Sequence, residues 1–375
     1  MPAVNSVEVL FAAAHAQFPD TEPLGGGKAV ADYLEREHPD WTILSPRSLG
    51  LELRQSLSEM NEWQYARFCR QFERAVTSAV LQRDPRRCVV LANDISEGPD
   101  FRRLGEAGYR MATIFHVDVV EYFTKFYLRG LVRPEWLTRF RWRRAPDLLR
   151  LVFEKQRHCV EHSQRLIVPS APMREVIRRC YPWCPSQNIV VVPWGNLSPP
   201  AAGESLDVAA DEVVIVTLSR LSPEKGIERL LRALPHLRLP RWRVFIAGAP
   251  AFMNGRAYER KLRRMAKGLP VTFTGYLSGP RKSALLRRAD VFVSPSHHES
   301  YGLTIAEALA HGCRVISHGH YGAQGQVVDC SDPVALARAI EIAARQRGDG
   351  VATAVVSNAA KEVAAILAEI AGGTT

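Results

Sequence analysis

The stretch PSHHESYGLTIAEALAHGCRVIS, residues 295–317, follows the apolar run VFVSPS (291–296) and closes on a second one, RVIS (314–317). Between them a helical pattern runs from about Leu303 to His311 and stops at Gly312. Apolar runs that are continuous rather than alternating, with a helix between them, mark parallel strands covered on both faces. The stretch also holds two glutamates eight positions apart, Glu299 and Glu307. Glu307 falls within Ile305–Ala310, at the edge of the stripe made by Ile305, Ala308 and Leu309. An ionised carboxylate in such company is costly unless something pairs with it. A pair of sugar hydroxyls is one candidate. The plainer alternative, an acid favouring the helix dipole, suits Glu299 and explains Glu307 poorly.

The same alternation extends along the chain. One series of strands is expected at 7–13, 41–44, 88–93, 110–117, 165–170 and 188–193. A second is expected at 212–219, 242–248, 271–275, 291–296, 314–317 and 325–329. The segment PWGNLSPPAAGESLDVAAD (193–211) lacks periodicity and reads as a linker. The expectation is an α/β protein of two doubly wound, parallel-sheet, Rossmann-like domains, 1–200 and 201–375, facing across a cleft. The last helix is a candidate to pack back on the first domain. Ligands in such sheets sit beyond the carboxyl ends of the strands.

Arg220 and Lys225 follow the strand at 212–219, and a helix start is expected at Pro223 or Glu224. Two cations there suit phosphate oxygens; surface pairing with Glu224 or Glu228 is the structural alternative. Gly302 precedes a helix whose first free N–H groups make a good phosphate seat, and it lets a ligand approach the backbone closely.

RLSPEKGIERLLRAL, FIAGAP, the run from VTFTGYLSGPRK to RVIS, and DPVALARAI together resemble glycosyltransferase family 4, of the GT-B fold, over roughly residues 212–340. Glu299 and Glu307 match that family's E-x7-E motif. The resemblance implies a retaining hexosyltransferase using a nucleotide-sugar donor, with UDP-sugar favoured. It implies that Arg220 and Lys225 bind the diphosphate, that Glu307 binds the ribose and that Glu299 lies beside the donor sugar. The amides of Gly302, Leu303 and Thr304 assist the phosphates. Neither cofactor nor metal is implied. One departure is the segment after Ser317, HGHYGAQGQVVDCSDP, which is shorter than the family's loop there.

In the first half, Gly25–Gly27 open an amphipathic helix after the first strand. By the resemblance, Gly26 and Gly27 face the donor and His116, at the end of the strand at 110–117, contacts its sugar, with Asp118 a weaker companion. Ser170 is expected to cap a helix from about Ala171 and is given no chemistry. Residues 121–144 are aromatic and basic, with seven Lys or Arg between Lys125 and Arg144 against Glu135 alone. Three readings stay open for them: a surface on an anionic membrane, a pocket for an anionic acceptor, or aromatics packed on the domain core.

The net charge is +10 over 375 residues, and 17 Lys or Arg stand against three Glu between Arg220 and Arg288. No nucleic-acid motif accompanies these charges, so nucleic acid is not an expected partner. The expected partners are a nucleotide sugar and a small-molecule, glycan or lipid-linked acceptor. Seven scattered cysteines read as reduced thiols, and neither CYPWC (180–184) nor HHE (297–299) is expected to bind metal. No apolar run is long enough to span a bilayer and the N-terminus does not read as a signal peptide. A cytoplasmic protein is the expectation, with placement at the inner membrane face an option that rests on the first of the three readings of 121–144. The competing readings are a catalytically silent GT-B protein that acts through a binding partner, for which the shortened loop is the support, and another GT-B reaction such as a phosphorylase.

Overall fold

The computed structural model describes residues 7–19, 25–53, 55–140, 142, 144, 147–198, 201, 207–251, 255–346 and 357–372. The chain divides into two compact units. The N-terminal unit comprises Met1–Phe18, Gly26–Trp194 and Asn358–Thr375; the C-terminal unit comprises Pro19–Gly25 and Gly195–Ser357. From the sequence the border is expected at 200/201; it falls at Trp194/Gly195.

Strands form where the sequence runs apolar. In the N-terminal unit they are β1 (Glu8–Ala12), β2 (Thr42–Leu44), β3 (Cys88–Ala92), β4 (Arg110–Ile114), β5 (Arg165–Val168) and β6 (Ile189–Val191). They pair in parallel in the order β2-β1-β3-β4-β5-β6. In the C-terminal unit they are β7 (Val213–Leu218), β8 (Trp242–Ala247), β9 (Val271–Gly275), β10 (Val291–Ser294), β11 (Arg314–Ser317) and β12 (Gln326–Val327). Their order is β12-β11-β10-β7-β8-β9, again parallel.

The continuous apolar runs are explained by burial on both faces. Val213 and Ile215 of β7 join Val244, Ile246 and Val291 in one core cluster. Their neighbours Val214 and Val216 join Phe245, Phe292, Ile305 and Val315 in another. A slip of one residue would exchange the two sets, but both faces are apolar, so the pattern alone does not fix the register.

Helix Ala359–Gly372 belongs to the N-terminal unit, where it buries Val363, Ile366, Leu367 and Ile370. His38 Nε2 lies 3.1 Å from the Ala360 carbonyl, and Arg110 bonds both the Ala371 carbonyl and, at 2.9 Å, that of Arg86. The Ala371 bond satisfies an end carbonyl that the helix itself leaves unpaired.

Both sheets reverse their winding direction once. In the N-terminal unit the reversal lies between β1 and β3; in the C-terminal unit it lies between β7 and β10. At such a point the connections leave in opposite directions and open a crevice at the strands' carboxyl ends. The candidate site residues collect at these two places.

Candidate active site

In the C-terminal unit, β7 runs into a 3-10 turn, Pro223–Lys225, then Gly226, then helix Ile227–Ala233. The helix therefore starts later than Pro223 or Glu224, because Gly226 interrupts it at φ 58°. A Cβ on Gly226 would stand 2.5 Å from the Pro295 carbonyl oxygen, so glycine is required where the loops after β7 and β10 touch. The His297 N–H donates to the Glu224 carbonyl at 2.8 Å and ties the same two loops.

That contact carries Lys225 to Glu299. The ammonium donates to Glu299 Oε1 at 2.8 Å, and Ser296 Oγ donates to the same oxygen at 2.8 Å. Burial acts to raise the Glu299 pKa, but Lys225 above all, with His320 and the Ser296 hydroxyl, outweighs it and holds the carboxyl below its ordinary value. Glu299 is thus an ionised group in a shielded place. Arg220 lies 3.5 Å from Glu224 Oε1, which also accepts from Ser222 Oγ at 2.6 Å. Glu224 is buried at 4% exposure, so this is an interior support for Arg220 rather than a surface pair. Glu228 is engaged by the Tyr258 hydroxyl and lies 3.7 Å from Lys261.

Glu307 has a partner that the sequence reading did not name. Lys282, on helix Gly279–Arg288, donates to Glu307 Oε1 at 2.7 Å. The two side chains keep only 18% and 12% of their exposure, respectively. Gly302, at φ 81°, caps helix Leu303–Ala310, on whose first turn Leu303 and Thr304 sit.

The shortened segment after β11 packs directly on this loop. The Gly322 N–H donates to the Glu299 carbonyl at 2.8 Å, and a Cβ on Gly322 would lie 2.3 Å from the Tyr301 carbonyl carbon. These are backbone atoms on both sides, so they cannot yield cheaply. Gly322→Ala is expected to lower the melting temperature by several degrees and to weaken whatever ligand Glu299 serves. Thermal melting with and without ligand checks this, and an unchanged melt removes the claim that the segment braces Glu299.

In the N-terminal unit, Gly26 and Gly27 open helix Gly26–Glu37, and His116 follows β4. His116 Nε2 lies 3.2 Å from Asn93 Oδ1, and Asn93 Nδ2 donates to the Gly27 carbonyl at 2.9 Å. The Gly27 carbonyl can only accept, which fixes the Asn93 amide. Its Oδ1 then accepts in turn, so His116 carries its proton on Nε2. Burial, reinforced by His15, lowers the His116 pKa against the pull of Asp94 and Glu97. A neutral His116 presents Nδ1 as an acceptor. His15 Nε2 lies 3.4 Å from Glu97 Oε1, and Glu97 is 4% exposed. Burial acts to raise the Glu97 pKa, but His15 and then Lys155 and His116 lower it overall. Lys155 holds that loop in place through the Ser96 and Gly98 carbonyls at 2.9 and 2.8 Å.

His15, Asn93 and Glu97 were not singled out from the sequence. The available signal was their place just past β1 and β3, the strands that flank the reversal. Asp118 is buried and caps helix Val119–Phe126 through the Glu121 N–H at 2.7 Å; burial pushes its pKa up to about 7. Ser170 stands at the N-cap of helix Ala171–Cys180 but makes no capping bond with its side chain. Cys180 and Cys184 are buried thiols whose pKa values burial raises.

Two parallel six-stranded sheets, each with its polar groups gathered at the winding reversal, define an α/β protein of the GT-B class. Residues 202–349 match the model of the family described as Glycosyl transferases group 1. The D-inositol 3-phosphate glycosyltransferase of Geodermatophilus obscurus is 30% identical over 279 residues, covering 62% of this chain and 60% of that protein, under two thirds of its length. Two solved structures share the fold across nearly the whole chain. Anabaena HepE in complex with UDP-glucose superposes with a TM-score of 0.62 at 15% identity, covering 97% of this chain and 96% of that one. Sucrose-phosphate synthase from Thermosynechococcus elongatus gives 0.65 at 19% identity, covering 98% and 96%.

Proposed function

We propose that the protein is a retaining glycosyltransferase that moves a hexose from a nucleotide sugar to an acceptor hydroxyl. The observation that carries this reading is the set Arg220, Lys225, Glu299 and Glu307 at the reversal between β7 and β10, with Lys225 and Glu299 joined at 2.8 Å. Both carboxylates are shielded and each is held by a cation of its own, Glu299 by Lys225 and Glu307 by Lys282 at 2.7 Å. In this reading Arg220, Lys225 and the amides of Gly302, Leu303 and Thr304 stabilise the charge that builds on the departing diphosphate. Glu307 accepts from the ribose hydroxyls, and Glu299 stands beside the transferred sugar. By the resemblance, Gly26, Gly27 and His116 of the N-terminal unit are donor-binding candidates, with His116 Nδ1 offered as an acceptor for a sugar hydroxyl. The acceptor hydroxyl attacks on the face the diphosphate leaves, and the leaving phosphate takes its proton. UDP-sugar is the donor favoured; HepE, which has this fold, is held with UDP-glucose. Relatives named for inositol 3-phosphate support a phosphorylated acceptor among the candidates.

The test is thermal-shift binding with a panel of nucleotide sugars on the wild type and Glu307→Ala. A ligand that binds the folded state raises its melting temperature by mass action. One nucleotide series is expected to stabilise the wild type and to lose most of that effect in the variant. A folded wild type that responds to no nucleotide sugar overturns the transferase reading in favour of a silent, partner-binding protein.

A further inference from the structure

The segment from Lys125 to Arg144 divides its side chains into two sets. Together with Phe123, the inner set holds the segment to the N-terminal unit. Phe123 and Trp142 pack on the Phe153 ring at centroid distances of 5.4 and 4.6 Å, and Leu137 joins the same cluster. Thr138 Oγ1 donates to the Cys180 carbonyl at 2.8 Å, and Trp142 Nε1 to the Leu137 carbonyl at 2.9 Å. The turn between is closed by the Gly130 N–H on the Thr124 carbonyl at 2.8 Å.

The outer set faces water. Leu131 is 85% exposed, Phe140 64%, Trp136 55% and Tyr127 51%. Along 125–144 every exposed charged side chain described is a cation: Lys125, Arg129, Arg133, Arg139 and Arg144. The acid of the segment, Glu135, is partly buried and paired with Arg179 at 3.1 Å. Large apolar side chains in water are ordinarily scattered singly. Tyr127 stacks on Phe123 at 5.3 Å, but Leu131, Trp136 and Phe140 stand exposed on backbone that other aromatics already anchor, so core packing does not account for these three.

We propose that this surface docks the protein on an anionic lipid bilayer. Aromatic rings with basic side chains around them suit the headgroup boundary, where Trp and Tyr are at home and cations meet anionic lipid. Leu131 and Phe140 enter the acyl edge, and the arginines stay at the phosphates with their stems against the apolar layer. A polyanion such as RNA would use the cations and leave Leu131 without a purpose. The inference stands independently of the transferase reading. If both hold, the acceptor is presented at a membrane surface.

The experiment is co-sedimentation of the full chain with vesicles of phosphatidylcholine alone and with vesicles containing phosphatidylglycerol, at low and high salt. The wild type is expected to sediment with the anionic vesicles only, and less so at high salt. Each arginine removed is expected to lower the partition coefficient about fivefold. Leu131→Glu with Phe140→Glu is expected to abolish sedimentation while leaving the melting temperature and the nucleotide-sugar shift unchanged. Failure of the wild type to bind anionic vesicles overturns the proposal. So does a Leu131→Glu/Phe140→Glu variant that binds as tightly as wild type while Arg133→Glu with Arg139→Glu does not, which would make the patch a site for soluble polyanions. A missing nucleotide-sugar shift with intact vesicle binding counts against the transferase reading alone.

Discussion

Lys225→Met is expected to weaken UDP binding ten- to hundredfold and to slow donor hydrolysis, measured without acceptor, by about 10²–10³-fold. The size follows from two tasks on one ammonium. It supplies charge where the diphosphate oxygen becomes anionic, and it holds Glu299 at 2.8 Å in its ionised form. Methionine keeps the length of the side chain and removes both. The unpaired Glu299 then costs the fold about 3 kcal/mol, as for a shielded ion pair broken on one side. The pH dependence has a definite sign. A carboxyl whose folded pKa is depressed contributes stability above its unfolded pKa, and that stability is lost as pH falls through the folded value. Lys225 is the largest influence lowering Glu299. Without it the folded pKa rises, so the variant loses less of its remaining stability on acidification than the wild type does. Melting temperatures from pH 7 to pH 4 check this, with isothermal titration of UDP beside them. A variant that melts and binds like wild type would show that the Lys225–Glu299 pair serves neither fold nor donor.

The strands were legible because burial on both faces leaves a run that needs no partner to be recognised, as in Cys88–Ala92, which is buried throughout. Glu307 was legible because a carboxylate in an apolar helical stripe is a conflict visible in one dimension; Glu299, in the loop before that helix, stood out only through its spacing from Glu307. The helical start expected at Pro223 is met by the 3-10 turn Pro223–Lys225, but the α-helix begins only at Ile227, after Gly226 turns left-handed where the Pro295 carbonyl, far along the chain, leaves no room for a side chain. The histidine cluster shows the same limit. His116 could be noted at a strand end, but His15 and Glu97 meet only because β1 and β3 are neighbours in the sheet, and strand order is not written in any local pattern. The aromatic segment was read as three alternatives because composition cannot separate inner from outer faces; Phe123 and Trp142 pack inward while Leu131 and Phe140 do not. Its Arg141 and Arg143 lie outside the described residues.

Lys282 was invisible for a related reason. It is one of 17 cations between Arg220 and Arg288, and nothing local distinguishes it from Arg281. The packing of helix Gly279–Arg288 near helix Leu303–Ala310 selects it, at 2.7 Å from Glu307. Lys282→Met is therefore expected to destabilise the ligand-free protein by about 2 kcal/mol, less than a fully buried pair would cost because both groups keep some contact with water. Glu307→Gln in the same chain should recover much of that loss, since an amide carries no charge to compensate. A double-mutant cycle by urea unfolding then gives a coupling of about 1–2 kcal/mol. Lys282 also fixes where the Glu307 carboxylate points before any ligand arrives. Lys282→Met should accordingly weaken UDP several-fold and leave inorganic pyrophosphate unchanged, because pyrophosphate carries no ribose for Glu307 to hold. Additive single changes would mean that the pair is an incidental surface contact. Equal weakening of UDP and pyrophosphate would move Lys282 from the ribose to the phosphates, and the assignment of Glu307 would have to move with it.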